Sequence, residues 1–148
     1  MVIKNGILLS IDTTDIVNNI LVLPDIKECA TGCITDDTII EELVFSGDVG
    51  TIKEGAIDGL ENLLSIRFQG KVGVVEDNAF KHCPSISIVK YFTEFGKECF
   101  IGNSKQIKIP FKVYPNSFGK YNKFITDAIL LSNREDNIFS SAISKMRR

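Results

Sequence analysis

A repeat of fixed period constrains this chain more than any other feature, because each copy of a repeat must fold in the same way. The segments Ile52-Lys-Glu-Gly-Ala56-Ile-Asp-Gly-Leu60-Glu-Asn-Leu63-Leu-Ser-Ile66-Arg-Phe68 and Val75-Glu-Asp-Asn-Ala79-Phe-Lys-His-Cys83-Pro-Ser-Ile86-Ser-Ile-Val89-Lys-Tyr91 align position for position, 23 residues apart. Fainter copies flank them. Upstream, Ile26 and Ala30 match, followed after about three inserted residues by Ile40, Leu43 and Phe45. Downstream, Phe95, Cys99 and Phe100 take the places of Val75, Ala79 and Phe80, while Ile109 and Phe111 take those of Val89 and Tyr91.

In a solenoid each coil buries its apolar row only against the coils above and below, so the same inward positions are apolar in every copy. The small residues Ala30, Ala56, Ala79 and Cys99 are expected at the tightest, buried point of each coil. The Leu63-x-x-Ile66-x-Phe68 string then reads as an inward turn residue followed by a short strand with alternating inward positions. Stacked, these strands make a parallel sheet.

The repeats resemble the BspA-like leucine-rich repeats, whose coils follow I-x-x-x-A-F-x-x-C-x-x-L-x-x-I-x-I-P. Val75 to Tyr91 carries the Ala-Phe and Cys marks, Ile52 to Phe68 keeps the shape with Ile57 and Leu60 substituted, and Ile107-Lys-Ile109-Pro110 is similar to the strand ending. The resemblance covers roughly residues 20 to 111. It implies a bacterial, non-catalytic protein-binding scaffold, since family members are often surface proteins proposed to bind host or partner proteins.

Repeat arrays need atypical capping units at both ends. Val2-Ile3-Lys4-Asn5-Gly6-Ile7-Leu8-Leu9 places Asn-Gly between two apolar runs and predicts a hairpin. A further strand is expected over Ile20 to Leu23, ending at Pro24. After Phe111, Phe118, Tyr121, Ile125, Ala128 and Ile129 recur at helical spacing. Ser132 and Glu135 have capping-box spacing before a second helical run through Ile138, Phe139, Ala142, Ile143 and Met146. The expected fold is a mixed α/β repeat: a short right-handed leucine-rich-repeat solenoid with parallel β-strands, an N-terminal β-hairpin cap and a C-terminal helical cap. Its one domain, 1–148, divides into a β cap (1–23), irregular repeats (24–111) and a helical cap (112–148). The helices are expected to cover the last coil; self-association or partner docking through them is the other role open to them.

A length of 148 residues with 44% hydrophobic and 24% charged residues suits one folded domain. The apolar runs fall short of the roughly 20 residues that a membrane span needs. Polar residues interrupt the first segment where a signal peptide would be apolar, no Asn-x-Ser/Thr acceptor is present, and Cys29, Cys33, Cys83 and Cys99 have no disulfide-framework spacing. A cytoplasmic location is expected, with a cell-surface adhesion or host-binding fragment lacking its export signal as the alternative. Residues 1–100 hold 16 acids and 8 bases, and residues 101–148 hold 3 acids and 9 bases. The bases are interleaved with apolar residues rather than run together, so a solvated basic face is expected and no nucleic-acid partner.

No residue set for catalysis, a cofactor or a metal stands out. His82 is the single histidine and sits in a turn beside a repeat mark. The cysteines do not form paired Cys-x2-4-Cys zinc units and are expected as small buried hydrophobes. Asp36, Asp37, Glu41 and Glu42 read as a solvated acidic loop, and Gly119-Lys120 lacks a phosphate-loop context. What remains is a surface. If Ile66 and Phe68 face inward, alternation sets Ser65, Arg67 and Gln69 outside, followed in later coils by Ile88, Lys90 and Phe92 and by Lys108, Pro110 and Lys112. Arg67, Ile88, Lys90, Phe92, Lys108 and Lys112 are therefore the candidate docking row of a non-catalytic interaction module, suited to an acidic protein partner.

Overall fold

The computed structural model describes residues 1–92, 98–101, 111–114 and 116–119. Two hairpins open the chain. In the first, β1 (Val2–Lys4) and β2 (Ile7–Ser10) pair antiparallel across Asn5 and Gly6, both at positive φ, as expected from the Asn-Gly signal. In the second, β3 (Ile16–Val17) and β4 (Ile20–Leu23) pair antiparallel across Asn18 and Asn19, again both at positive φ. The strand over Ile20 to Leu23 was legible in the sequence, but its hairpin partner was not.

The coils follow. One runs through β5 (Ile26–Cys29), β6 (Ile34–Thr35) and β7 (Glu42–Phe45), the next through β8 (Val49–Ile52), β9 (Ile57–Asp58) and β10 (Ser65–Phe68). A third runs through β11 (Val72–Val75), β12 (Phe80–Lys81) and β13 (Ile88–Phe92). After them come β14 (Glu98–Ile101) and β15 (Lys112–Val113). Each coil gives one strand to each of three sheets, in the orders β1-β2-β5-β8-β11-β15, β14-β13-β10-β7-β4-β3 and β12-β9-β6. We call these the A, B and C faces. The expected parallel stacking is present: β5, β8, β11 and β15 run parallel, as do β4, β7, β10 and β13.

One hydrophobic core fills the space between the faces, and the period explains its columns. Leu21, Leu43, Ile66 and Val89 stack in one, and Leu23, Phe45, Phe68 and Tyr91 in the next. All eight are buried, and the Phe45 and Phe68 rings stack with centroids 5.0 Å apart. Side chains tie coil to coil at the same period: Thr31 Oγ1 donates to the Glu54 carbonyl at 2.7 Å, and Ser46 Oγ to the Leu23 carbonyl at 2.7 Å.

The register corrects two sequence expectations. The first coil has no three-residue insertion: Ile26 pairs with Val49, and Ile34 with Ile57, at the undisturbed 23-residue spacing. The small buried position of that coil is therefore Cys33, whose neighbour Ile34 donates to Ala56 just as Ile57 donates to Ala79. Ala30 is only half-buried and sits one turn earlier. Sulfur and methyl are close in bulk, and a reading that favoured alanine chose the wrong small residue.

The second correction lies after β13. Cys99 does not continue the column of Ala79; β14 turns back antiparallel on β13, with Tyr91 opposite Cys99. Val113 instead pairs with Val75, Ser117 accepts from the Phe80 amide, and Phe118 stacks on Phe80 with centroids 4.9 Å apart. Val113, Ser117 and Phe118 thus take the places the sequence reading gave to Phe95, Cys99 and Phe100; Phe95 lies outside the described residues. Phe111 packs against both Phe68 (5.4 Å) and Tyr91 (6.4 Å) instead of adding a rung beyond Tyr91. Coil elements accordingly reach Gly119. Phe118, read as the start of a helix, lies in a turn and is buried as a coil residue. The rest of both expected cap helices lies outside the described residues. Nearer the N-terminus, Thr13–Asp15 forms a short 3-10 turn.

Candidate functional site

The outer surface of the B face carries most of the expected docking row. Strand alternation sends Ile66 and Phe68 inward, and so leaves Ser65 and Arg67 outward. Parallel register places Arg67 beside Lys90 and Ser65 beside Ile88, with Phe92 one alternation further along β13. Arg67, Ile88, Lys90 and Phe92 are each partly exposed on this one surface. Lys112 is not with them: it is exposed on the A face, paired with Val74, its Nζ 4.8 Å from the centre of the Tyr114 ring. As the alternative to Lys108 for continuing the row past Lys90, Lys112 is set aside by β15, which joins the A face and not the B face. Lys108 lies outside the described residues.

Arg67 is not the free cation that its sequence context suggested. Its Nε stands 3.3 Å from Glu42 Oε1 and its Nη2 3.3 Å from Glu98 Oε1, with all three side chains partly buried. Glu42 comes from β7 and Glu98 from β14, so the guanidinium reaches over β13 to join strands on both sides of it. The Nε–H points away from an in-line acceptor, which makes the Glu42 contact an ion pair without an aligned hydrogen bond. Glu42, read as part of a solvated acidic loop, is half of this clamp. Asp37 of the same loop accepts from the Ile39 and Ile40 amides at 2.7 and 2.9 Å and shapes the turn into β7.

The B face also has an apolar end that the sequence reading did not pick out. Val22 pairs with Val44, which pairs with Arg67, and Val17 pairs with Ile20 on the hairpin strand beside them. Val17 is 63% and Val22 50% exposed. The signal available was the alternation in Ile20-Leu-Val-Leu, with Val22 on the outward beat.

Two other places carry side chains with chemical potential. His82 lies in a turn at positive φ and is 71% exposed, with Nδ1 2.8 Å from Asp58 Oδ1. The neighbouring Cys83 thiol is buried and is pushed up by that burial, the opposite of an activated nucleophile. At the corner between the A and C faces, Glu54, Glu76, Asp77 and Tyr114 line a cavity of about 260 Å³. Glu76 there accepts from the Glu54 amide at 3.0 Å and faces Lys53 Nζ at 3.7 Å, so it is committed to the coil stack. Among the described residues, no group of three or more His, Cys, Asp or Glu side chains is placed to hold a metal ion.

Comparison with known proteins identifies the repeat. The family model of the BspA type leucine-rich repeat region matches residues 25–144 in six copies. The chain belongs to this family. No curated protein and no solved structure gives a match. Leucine-rich-repeat domains generally mediate protein interactions, and no helix among the described residues is long and apolar enough to cross a membrane.

Proposed function

We propose that this leucine-rich-repeat chain is a non-catalytic interaction module that docks a protein partner on the outer surface of its B face. The observation that carries this reading is the register of β10 and β13, which gathers Arg67, Ile88, Lys90 and Phe92 on one rigid surface. Short strands tied coil to coil hold such a surface without the ordering cost that a loop would bring. The Glu42–Arg67–Glu98 clamp gives Arg67 a positioning role beside Lys90, Ile88 and Phe92, which share its surface. The partner is one that offers an acidic group to Lys90 and an apolar one to Ile88 and Phe92. Three cysteines buried as free thiols support a cytoplasmic setting.

The test is a partner recovered by pull-down and measured against Lys90→Glu/Phe92→Ser. That pair of changes is expected to weaken binding by more than tenfold, about 1.4 kcal/mol, while the thermal midpoint moves little. Raising the salt is expected to weaken wild-type binding more than binding of the variant. Equal affinity of the two proteins would move the docking surface elsewhere.

A further inference from the structure

We infer that Cys29 and Cys33 are a redox pair, two thiols of the first coil that close into a disulfide across one turn when a small disulfide oxidant such as glutathione disulfide reaches them. Cys29 ends β5 and Cys33 follows the turn, both inward and buried. The turn is tight: the Cys33 amide donates to the Ala30 carbonyl at 3.1 Å, and Gly32 between them has φ 75°. Glycine and asparagine adopt that conformation most readily, and Gly55 and Asn78 hold it at the same place in the next two coils. The same two columns hold Ile52 with Ala56 and Val75 with Ala79 in the following coils. Of these three coils, only the first places sulfur on both sides of the turn.

The chemistry balances with one equivalent of oxidant. A thiolate from one cysteine attacks glutathione disulfide and releases one glutathione; the second cysteine sulfur displaces the other. Two S–H bonds break, one Cys29–Cys33 S–S bond forms, and two reduced glutathiones leave. In the closed coil this does not start, because both thiols are out of solvent. The neighbouring Cys33 thiol, and burial after it, push the Cys29 thiol far above its ordinary range. Access comes from the end of the solenoid. The β1–β2 hairpin is held on β5 by the short register Ile7 to Glu28 and Leu8 to Cys29, and lifting it uncovers Cys29. The closed disulfide has a structural consequence: Cys33 loses the S–H that reaches the Ala56 carbonyl at 3.4 Å, one of the links between the first two coils.

The whole chain incubated with glutathione disulfide in urea below its unfolding transition tests this. We expect a loss of about 2 Da in intact mass, a proteolytic peptide joining Cys29 to Cys33, and a rate that rises with urea as the hairpin opens. Cys33→Ala carries the residue of the next two coils and Cys29→Val that of the third, so both are expected to fold with an unchanged circular dichroism spectrum and to show no mass loss. The inference is overturned if Cys29 and Cys33 remain alkylatable as free thiols, if they stop as glutathione adducts, or if the mass loss persists in Cys33→Ala. It is independent of the docking surface, because it reads a bond in the core and not a partner.

Discussion

At the scale of single residues, close backbone approach and buried sulfur set the sharpest limits. Gly73 stacks over Gly50 on the A face, and a Cβ built on it would run into the Gly50 carbonyl oxygen. A backbone atom cannot swing aside as a lysine tip can. Gly73→Ala is therefore expected to cost on the order of 1 to 3 kcal/mol by forcing two coils apart, visible as a lower urea midpoint with an unchanged slope. Cys83 makes a pH prediction. Its folded-state thiol is held above the ordinary value by burial, so the folded protein keeps a proton that the unfolded chain gives up in mild alkali. Its contribution is complete below the unfolded thiol value and is lost as pH rises from there through the folded value. The denaturation midpoint is expected to fall as pH rises past the ordinary thiol value of about 8.5, and to fall less in Cys83→Ala; parallel curves for the two proteins would assign the loss to other groups.

At the scale of elements, the hairpins and β14 show where local rules end. Asn5-Gly6 sits between apolar runs, and the turn residues alone announce the first hairpin. Asn18-Asn19 makes the same turn with no glycine, since asparagine tolerates positive φ through its short polar side chain. Asn19 also offers its carbonyl to the Glu41 and Glu42 amides, joining the hairpin to the next coil. Asn19→Val places a β-branched side chain at φ 66° and is expected to cost about 1 to 2 kcal/mol. Faster proteolysis within residues 1–23, ahead of the rest of the chain, would show it. β14 is the opposite case: Glu98–Ile101 is a good strand sequence, and nothing local says whether it stacks parallel on the next coil or folds back on β13. Docking against β13 decides, and with it goes the difference between Cys99 as a repeat mark and Glu98 as a clamp on Arg67.

At the scale of the whole molecule, the stack behaves as neighbours holding neighbours. Removing residues 49–71, one full period, would bring Val72 into the place of Val49 and keep every inward column. The shortened chain is expected to fold cooperatively with a lower midpoint. Removing residues 49–70 instead shifts the register by one, turning inward side chains out, and is expected to aggregate. The exact inward columns of the central coils, the N-terminal hairpin and the outward set of Arg67, Ile88, Lys90 and Phe92 were determined by the sequence itself. The physical reason is that burial repeats at the coil period and strand alternation repeats at two, and both are written in residue type. Tertiary structure alone decided that Cys33 and not Ala30 closes the first coil, that Val113, Ser117 and Phe118 resume the stack after β14, and that Lys112 lies on a different face from Lys90. Those outcomes depend on which coil a segment meets in space, and several segments of this chain are apolar enough to fit more than one place. Arg67 is charged in either account; only the meeting of β7, β10 and β14 turns it from a free cation into a clasp between strands.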